Sequence, residues 1–181
     1  HQGCKVGRAG TTGIYHNDDQ LESGDFSGGK GHHRILESVD VNLAVLETAR
    51  GAASSLGLSF DHCDVAVCTN VSEDHLGERG IDTVEQMAEL KLFMVNRARN
   101  TVVLNAYNRY SAGMLPHLQG RHAWLVSDQL NPVELRERFG DKVKFRRYGV
   151  RRRFLARFGS RVLDDALHAV EERSAFAQFG L

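Results

Sequence analysis

Two nearly continuous apolar runs stand out along the chain, at residues 41–48 and 64–70, and each ends in polar side chains. Runs of this kind are typical of strands buried on both faces of a parallel sheet. We predict two neighbouring parallel strands here. In open α/β sheets, ligands bind beyond the carboxyl ends of the strands, so chemistry is expected at the polar ends of both runs. The residues at these ends are Glu47, Thr48, Thr69 and Asn70.

The rest of the chain alternates predicted helices with predicted strands. Residues 83–98 place apolar side chains at helical spacing and predict the strongest helix, with Asp82 as its cap and Glu85 three residues on. Further strands are predicted at 101–105, 123–126 and 143–148, further helices at 32–39, 132–139 and 161–179, and a hairpin turn at 17–19. This order predicts an α/β fold with a mostly parallel sheet and flanking helices.

Lys91 interrupts the apolar face of the predicted helix, between Met87 and Met94. A buried ammonium group is costly unless it is paired or neutralised. One interpretation is that the aliphatic stem packs while the amine reaches the rim of the core. The other is a functional lysine, which requires polar partners from elsewhere in the chain.

The segment at residues 70–75 offers such partners, with five polar groups among its six residues. Glutamate, aspartate and histidine with ordered water suit a hard cation such as magnesium, although histidine more often binds zinc. The alternative is that Ser72 or Asp74 caps local backbone and His75 is simply solvated.

Cys63 and Cys68, with His62 and His75 nearby in the sequence, raise the alternative of a zinc site. The two cysteines are an odd number of residues apart on a predicted strand, so their side chains should point to opposite faces. We interpret them as buried apolar cysteines.

The composition excludes several classes of protein. With 181 residues, 41% of them apolar and 25% charged, the chain is ordinary for a globular protein. No uncharged apolar run approaches the ~20 residues that span a bilayer. Three cysteines are too few for a disulfide framework, and an odd number cannot all pair within the chain. We expect a cytoplasmic protein without a membrane partner.

The net charge of zero conceals an asymmetry. Residues 136–161 hold eleven lysines and arginines against two acidic residues, a local charge of +9. Such a segment suits phosphate or nucleic acid. We favour a solvated surface, or a tail outside the native core, because no RNA- or DNA-binding motif accompanies it. We therefore expect no nucleic-acid partner.

Five short motifs occur in one order with tight spacing. They are residues 46–51 (Leu-Glu-Thr-Ala-Arg-Gly), 57–61 (Gly-Leu-Ser-Phe-Asp), 69–77 (Thr-Asn-Val-Ser-Glu-Asp-His-Leu-Gly), 81–83 (Ile-Asp-Thr) and 104–106 (Leu-Asn-Ala). Over roughly residues 5–115 they resemble the central domain of Mur ligases, in the form found in cyanophycin synthetases. The combination of the first and third motifs is specific, although neither would be so alone.

The resemblance implies a P-loop NTPase-like domain and ATP-dependent amide ligation, in which a carboxylate is phosphorylated and an amine attacks the acyl phosphate. In a complete cyanophycin synthetase it implies joining arginine to aspartate side chains. Magnesium would bridge the phosphates and neutralise developing charge. By the match, Glu47, His75 and Lys91 would be the catalytic and metal-site residues, Thr69, Asn70 and Asp74 would bind the nucleotide, and Thr11, Thr12 and Arg50 would lie near the substrate.

Two of these residues have a further implied role. Lys91 matches the lysine that is carbamylated in many Mur ligases, where it gives a second metal an anionic ligand. Arg50 suits a substrate carboxylate, because a guanidinium can form a bidentate pair with it.

The sequence also departs from the family pattern. A phosphate loop of the form G-x-x-G-K-T-[ST] does not occur in the 181 residues, and we expect it to precede this chain. Thr12 stands where an aspartate is usual, and residues 104–108 lack both carboxylates of the L-N-A-D-D pattern. Because the resemblance fades beyond about residue 125, we divide the chain into a partial ATP-binding domain, 1–125, and a poorly matched basic segment, 126–181.

Two functions follow from these observations. The first is a fragment of an ATP-dependent amide ligase, with ATP and an amino-acid or peptide-polymer substrate as partners and weak or no activity alone. The alternative is an inactive remnant, or a polyanion-binding module, of the same ancestry. Homo-oligomerisation as part of a longer chain stays open.

Overall fold

The computed structural model describes residues 3–55, 57–74, 76–118, 120–140, 144–148 and 153–158. Within these residues strands and helices alternate, which confirms the predicted α/β class, and the strands form two sheets. The strands are β1 (Val6–Gly10), β2 (Gly13–His16), β3 (Asp19–Ser23), β4 (Leu43–Leu46), β5 (Cys63–Cys68), β6 (Ala98–Asn105), β7 (His122–Ser127), β8 (Lys144–Tyr148) and β9 (Arg153–Phe158). The α-helices are α1 (Gly29–Leu36), α2 (Arg50–Ser55), α3 (Val84–Val95), α4 (Arg109–Gly113) and α5 (Pro132–Phe139).

The first sheet has the strand order β3-β2-β1-β4. Strands β1, β2 and β3 form an antiparallel meander, whereas β4 pairs with β1 in parallel. Asn17 adopts a left-handed conformation with φ of 52°, which confirms the hairpin predicted at 17–19. The crossover from β3 to β4 contains α1, and Gly31 of that helix lies against the carbonyl of Phe26, where a Cβ would come within 2.0 Å of the oxygen.

The second sheet has the order β5-β6-β7-β9-β8. Its first three strands are parallel, and β9 and β8 complete it in antiparallel fashion. Strand β8 confirms the edge strand predicted at 143–148, apart from Val143, which lies outside the described residues. Strand β9 was not predicted, because its arginines suggested a solvated segment. The helix predicted at 161–179 lies outside the described residues.

The two strands predicted to be neighbours lie in different sheets. The run at 41–48 forms β4, whose partner is β1, whereas the run at 64–70 forms β5, whose partner is β6. The prediction of parallel pairing is confirmed for each strand, but the prediction that they adjoin is wrong. A hydrophobic pattern identifies a buried strand without naming its partner, because pairing is a long-range choice.

Helix α3 begins one residue later than predicted. Thr83, rather than Asp82, is the N-cap, and its hydroxyl accepts from the Gln86 backbone N–H while the Gln86 side chain accepts from the Thr83 N–H. This reciprocal pair is a capping box. The helix ends at Val95, so Ala98, expected on its apolar face, instead opens β6.

The main core lies on one face of the second sheet. It includes Val102, Leu104, Leu125 and Leu135, all inaccessible to solvent, and the helix residues Met87 and Val95. The core under the first sheet is much smaller, with Ala9, Ile14, Phe26 and Ile35 as its buried members. No helix in the described parts of the chain is long and apolar enough to cross a membrane.

Both strand cysteines pack against the main core, although the sequence predicts opposite faces. The pairing of β5 with β6 shifts register between Cys63 and Val65, which breaks simple alternation. Cys68 is buried and Cys63 is partly buried against the same cluster. Burial raises the pKa of both thiols, which fits apolar cysteines rather than ligands.

Candidate active site

Glu47 lies immediately beyond the carboxyl end of β4, where the turn after β1 holds its carboxylate. The Thr11 backbone N–H donates to Glu47 Oε2 at 2.9 Å, and the Thr11 hydroxyl donates to the same oxygen at 3.3 Å. A Cβ at Gly10 would lie 2.6 Å from Oε2, so a side chain there would displace the carboxylate. The other oxygen, Oε1, accepts no hydrogen bond from the described residues. One fixed carboxylate oxygen therefore remains for a cation or a donor.

His32 anchors the same segment from α1. It is 1% exposed, and its Nε2 lies 2.9 Å from the Glu47 carbonyl oxygen. Because a carbonyl only accepts, Nε2 must donate, and this sets the tautomer. The other ring nitrogen, Nδ1, has no partner among the described residues. The ring also contacts that of Phe60, at 5.7 Å between centroids.

The loop before α1 supports the backbone that follows Glu47. Ser27 donates from its hydroxyl and its backbone N–H to Asp25 Oδ1, at 2.6 and 3.0 Å. These two bonds stabilise the ionised form and lower the pKa of Asp25. The Ser27 carbonyl in turn accepts from the Ala49 N–H at 2.8 Å. The segment after β4 is thus held by main-chain contacts on both sides of Glu47.

The remaining predicted substrate residues have protein partners. The Tyr15 hydroxyl donates to Thr12 Oγ1 at 3.2 Å, and Thr12 is exposed. The Arg50 guanidinium donates to the carboxylate and the carbonyl of Glu78, at 2.6 and 3.0 Å. A substrate carboxylate at Arg50 would therefore have to replace Glu78, whose side chain is 60% exposed.

A second polar region lies where β5 and β6 end. Asn105, the last residue of β6, donates from Nδ2 to the Thr69 carbonyl at 2.9 Å. Its Oδ1 accepts from the backbone N–H groups of Tyr107 and Asn108. The two strand ends are thereby fixed to each other and to the turn that leads into α4.

Asn108 and Ser111 complete this network. The Ser111 hydroxyl, fully buried, donates to the Cys68 carbonyl and accepts from the Asn105 N–H, both at 3.0 Å. Asn108 caps α4 by accepting from the Ser111 N–H at 2.8 Å. Its amide nitrogen donates to the Val71 carbonyl at 2.9 Å and to Asn70 Oδ1 at 2.5 Å.

Lys91 reaches this region from α3. Its amine donates to the Asn70 carbonyl at 2.7 Å, and the residue is half-buried. Packing of the stem and hydrogen bonding of the amine at the core rim satisfy the charge without a buried partner. Carbamylation of Lys91 stays a prediction.

The loop after Asn70 is only partly described. The Ser72 hydroxyl donates to Asp74 Oδ2 at 2.7 Å, a local contact of the kind that the alternative interpretation proposed. His75 lies outside the described residues. Within the described ranges there is no group of three or more histidine, cysteine, aspartate or glutamate side chains that could hold a metal ion. The metal set of Glu47, His75 and Lys91 therefore stays a prediction.

The structure sorts the predicted residues into two regions. Glu47 and Thr11 meet at the end of the first sheet, whereas Thr69, Asn70 and Lys91 meet at the end of the second. Sequence analysis did not assign roles to His32, Glu78, Asn108 or Ser111, which hold these residues in place. A signal existed for Asn108, because asparagine directly before a helix is a common N-cap. None existed for His32, which precedes the exposed His33.

Comparison with known proteins identifies the family. Residues 5–147 match the model of the Mur ligase middle domain, so the chain belongs to the Mur ligase family, a family of ATP-dependent amide ligases. This confirms the resemblance that the sequence motifs predicted.

Cyanophycin synthetases are among its relatives. The chain is 41% identical over 133 residues to cyanophycin synthetase of Geminocystis herdmanii (strain PCC 6308). This alignment covers 72% of this chain and 15% of that protein. It is 43% identical over 126 residues to the cyanophycin synthetase of Nostoc sp. (strain PCC 7120 / SAG 25.82 / UTEX 2576), covering 68% of this chain and 14% of that protein. The chain therefore spans only a small part of the length of these relatives.

A solved structure shares the fold. The chain resembles UDP-N-acetylmuramoyl-L-alanyl-D-glutamate--2,6-diaminopimelate ligase with a TM-score of 0.54 and 19% identity, over 99% of this chain and 39% of that one. At this identity the likeness concerns the fold alone.

Proposed function

We propose that this chain forms part of the ATP site of an amide ligase of the cyanophycin synthetase type. The complete enzyme would join arginine to aspartate side chains of a peptide polymer through an acyl phosphate. The observation that carries the proposal is the position of the Glu47 carboxylate at the end of a strand. Thr11 hydrogen-bonds to Oε2, and Oε1 accepts no hydrogen bond from the described residues. A preset carboxylate oxygen at this place suits the magnesium ion that accompanies ATP.

The donor chemistry of the region fits magnesium. Glu47 and His75 would hold this ion, and a carbamylated Lys91 would give a second metal an anionic ligand. When bound, the metal would neutralise phosphate charge. Glu47 arrives oriented, because both its backbone carbonyl and its carboxylate are hydrogen-bonded. Such fixed first contacts lower the ordering cost of binding.

The other predicted site residues would contact the nucleotide or the substrate. Thr69, Asn70 and Asp74 would line the nucleotide site, next to the network of Asn105 and Asn108. Thr11, Thr12 and Arg50 would lie near the substrate. For Arg50 this role requires exchange of Glu78 for a substrate carboxylate, a swap of equal charge.

The test is a titration of the chain with ATP at fixed free magnesium, comparing the parent protein with Glu47→Gln. We expect affinity for Mg·ATP to fall by about tenfold or more, which corresponds to ~1.4 kcal/mol, while affinity for metal-free ATP stays unchanged. Glu22→Gln is the matched control, because Glu22 is an exposed glutamate of the same sheet. Equal Mg·ATP affinity for all three proteins would overturn the assignment of Glu47.

The basic segment supports a second candidate, an anionic-polymer-binding module. Strands β8 and β9 pair along five registered positions at the edge of the second sheet, within the segment of local charge +9. Polyphosphate binding whose affinity falls steeply with salt is the expected result for this candidate. Absence of binding at low salt would exclude it.

A further inference from the structure

The side-chain amide of Asn108 has one possible orientation. Its Oδ1 faces the Ser111 backbone N–H at 2.8 Å, and its nitrogen faces the Val71 carbonyl at 2.9 Å. Turning the amide over would set oxygen against oxygen and N–H against N–H. Two backbone groups therefore fix which end is the donor, and the assignment does not rest on distinguishing oxygen from nitrogen in the side chain.

This orientation determines that of Asn70. The second N–H of Asn108 points at the Asn70 side chain, 2.5 Å away, so the atom that receives it must be the Asn70 oxygen. The amide nitrogen of Asn70 is then turned away from the network. It donates to no described residue, and Asn70 is exposed. The Lys91 amine holds the Asn70 backbone in place through its carbonyl.

We propose that Asn108 is a positioning residue that sets the hydrogen-bonding polarity of Asn70. Residue 70 then offers N–H donors to a bound nucleotide and selects an acceptor atom, either a phosphate oxygen or a ring nitrogen of the base. Its oxygen is directed at Asn108 rather than at an exocyclic amino group of the ligand. The ligand part of this inference rests on the proposed function, which places the nucleotide at this edge.

Replacing Asn108 with aspartate, the residue of the L-N-A-D-D pattern, reverses this polarity. Aspartate still caps α4, because its carboxylate accepts from the Ser111 N–H. It has no N–H, so the hydrogen bond to the Val71 carbonyl is lost and Asn70 must turn its own nitrogen inward to meet the carboxylate. The exposed atom of residue 70 then becomes an oxygen, which pairs with donors instead of acceptors.

The first experiment needs no ligand and uses NMR to measure exchange of the Asn70 side-chain N–H protons with water. We expect fast exchange in the parent chain and at least about fivefold slower exchange in Asn108→Asp, where these protons become hydrogen-bonded. Asn131→Asp is the matched control, since Asn131 also caps a helix but lies at α5. Equal exchange in the parent chain and Asn108→Asp would overturn the proposal.

The second experiment identifies the acceptor by titrating inorganic tripolyphosphate and adenosine separately. If residue 70 binds a phosphate oxygen, Asn108→Asp lowers the affinity for tripolyphosphate by about fivefold or more and leaves the affinity for adenosine unchanged. If residue 70 binds a ring nitrogen of the base, the affinity for adenosine falls instead and that for tripolyphosphate is unchanged. Asn108→Ser, neutral and still a cap, separates loss of the contact from added charge and should show a smaller loss in the same direction.

The outcomes distinguish the two proposals. Unchanged affinity for both ligands in Asn108→Asp overturns the ligand part of this inference. Failure of the parent chain to bind ATP counts against the proposed function, and the exchange measurement still decides whether Asn108 orients Asn70.

Discussion

The two sheets end in polar regions of opposite character. The first sheet has a small core and presents an acidic side chain, Glu47, held by Thr11 and His32. The second has a large core and presents neutral amides, held by one another and by Ser111. The first sheet therefore presents a carboxylate, whereas the second presents side-chain amides together with the Lys91 amine.

Core truncation tests the contrast in packing and has the largest expected effect. Leu104→Ala should lower the free energy of unfolding by about 2–5 kcal/mol, because Leu104 is fully buried in the main core. Ile14→Ala, equally buried but in a cluster of four, should instead reduce hydrogen-exchange protection mainly within the first sheet. Native-state hydrogen exchange measures both. Uniform loss of protection across both sheets in Ile14→Ala would show that they unfold as one unit.

Removal of the Ser111 hydroxyl tests the rigidity of the amide region. Ser111→Ala leaves the Cys68 carbonyl and the Asn105 N–H without their partner, and should cost about 1–3 kcal/mol in urea unfolding. Ser72→Ala is the control, because among the described residues its hydroxyl bonds only to exposed Asp74, and it should stay within about 0.5 kcal/mol. A Ser111→Ala variant as stable as the control would mean that this hydroxyl does not stabilise the strand ends.

The smallest effect is expected from acid, and it belongs to the first sheet. The Ser27 hydroxyl and N–H hold the pKa of Asp25 below its usual range. A depressed folded pKa adds stability above the unfolded pKa, and that contribution is lost as pH falls through the folded value. Asp25→Asn should therefore flatten the acid dependence of stability as pH falls below the ordinary carboxyl pKa of 3.8, relative to the parent chain.

The control for this measurement comes from the second sheet. Asp128→Asn removes an exposed carboxylate after β7 and should leave the acid profile of the parent chain in place. Identical profiles for Asp25→Asn and the parent would show that the Ser27 contacts contribute nothing to the fold.

Much of the fold was predictable because its signals are local. Strands β4 and β5, the hairpin at Asn17 and helix α5 follow from apolar runs, turn residues and caps within a few positions. The division into two sheets was not predictable, because β4 pairs with β1, which lies more than thirty residues earlier in the chain. Strand β9 was missed for a different reason. Its arginines suggested a solvated segment, whereas the strand forms through backbone pairing with β7 and β8.

The site was predictable to the same depth. Glu47, Thr69 and Asn70 were proposed as site residues because polar residues at strand ends occupy positions where ligands bind. Their supports were not found, because a hydrogen bond such as His32 to Glu47 joins residues whose proximity depends on the finished fold. Residue type identified the groups that could act, and tertiary structure alone identified the groups that orient them.

The Cys68 thiol, in the region of side-chain amides at the end of the second sheet, is protected from oxidants. Cys68 is 5% exposed, with its thiol beneath the Asn70 carbonyl, and burial raises the pKa of the thiol against smaller opposing contributions from Ser111 and Lys91. The thiolate is the form that reacts with oxidants and attacks disulfides, and this environment disfavours it. Exposed Cys4 has no such protection. Mild oxidation of this chain would therefore consume Cys4 first and leave the strand ends around Asn70 chemically intact.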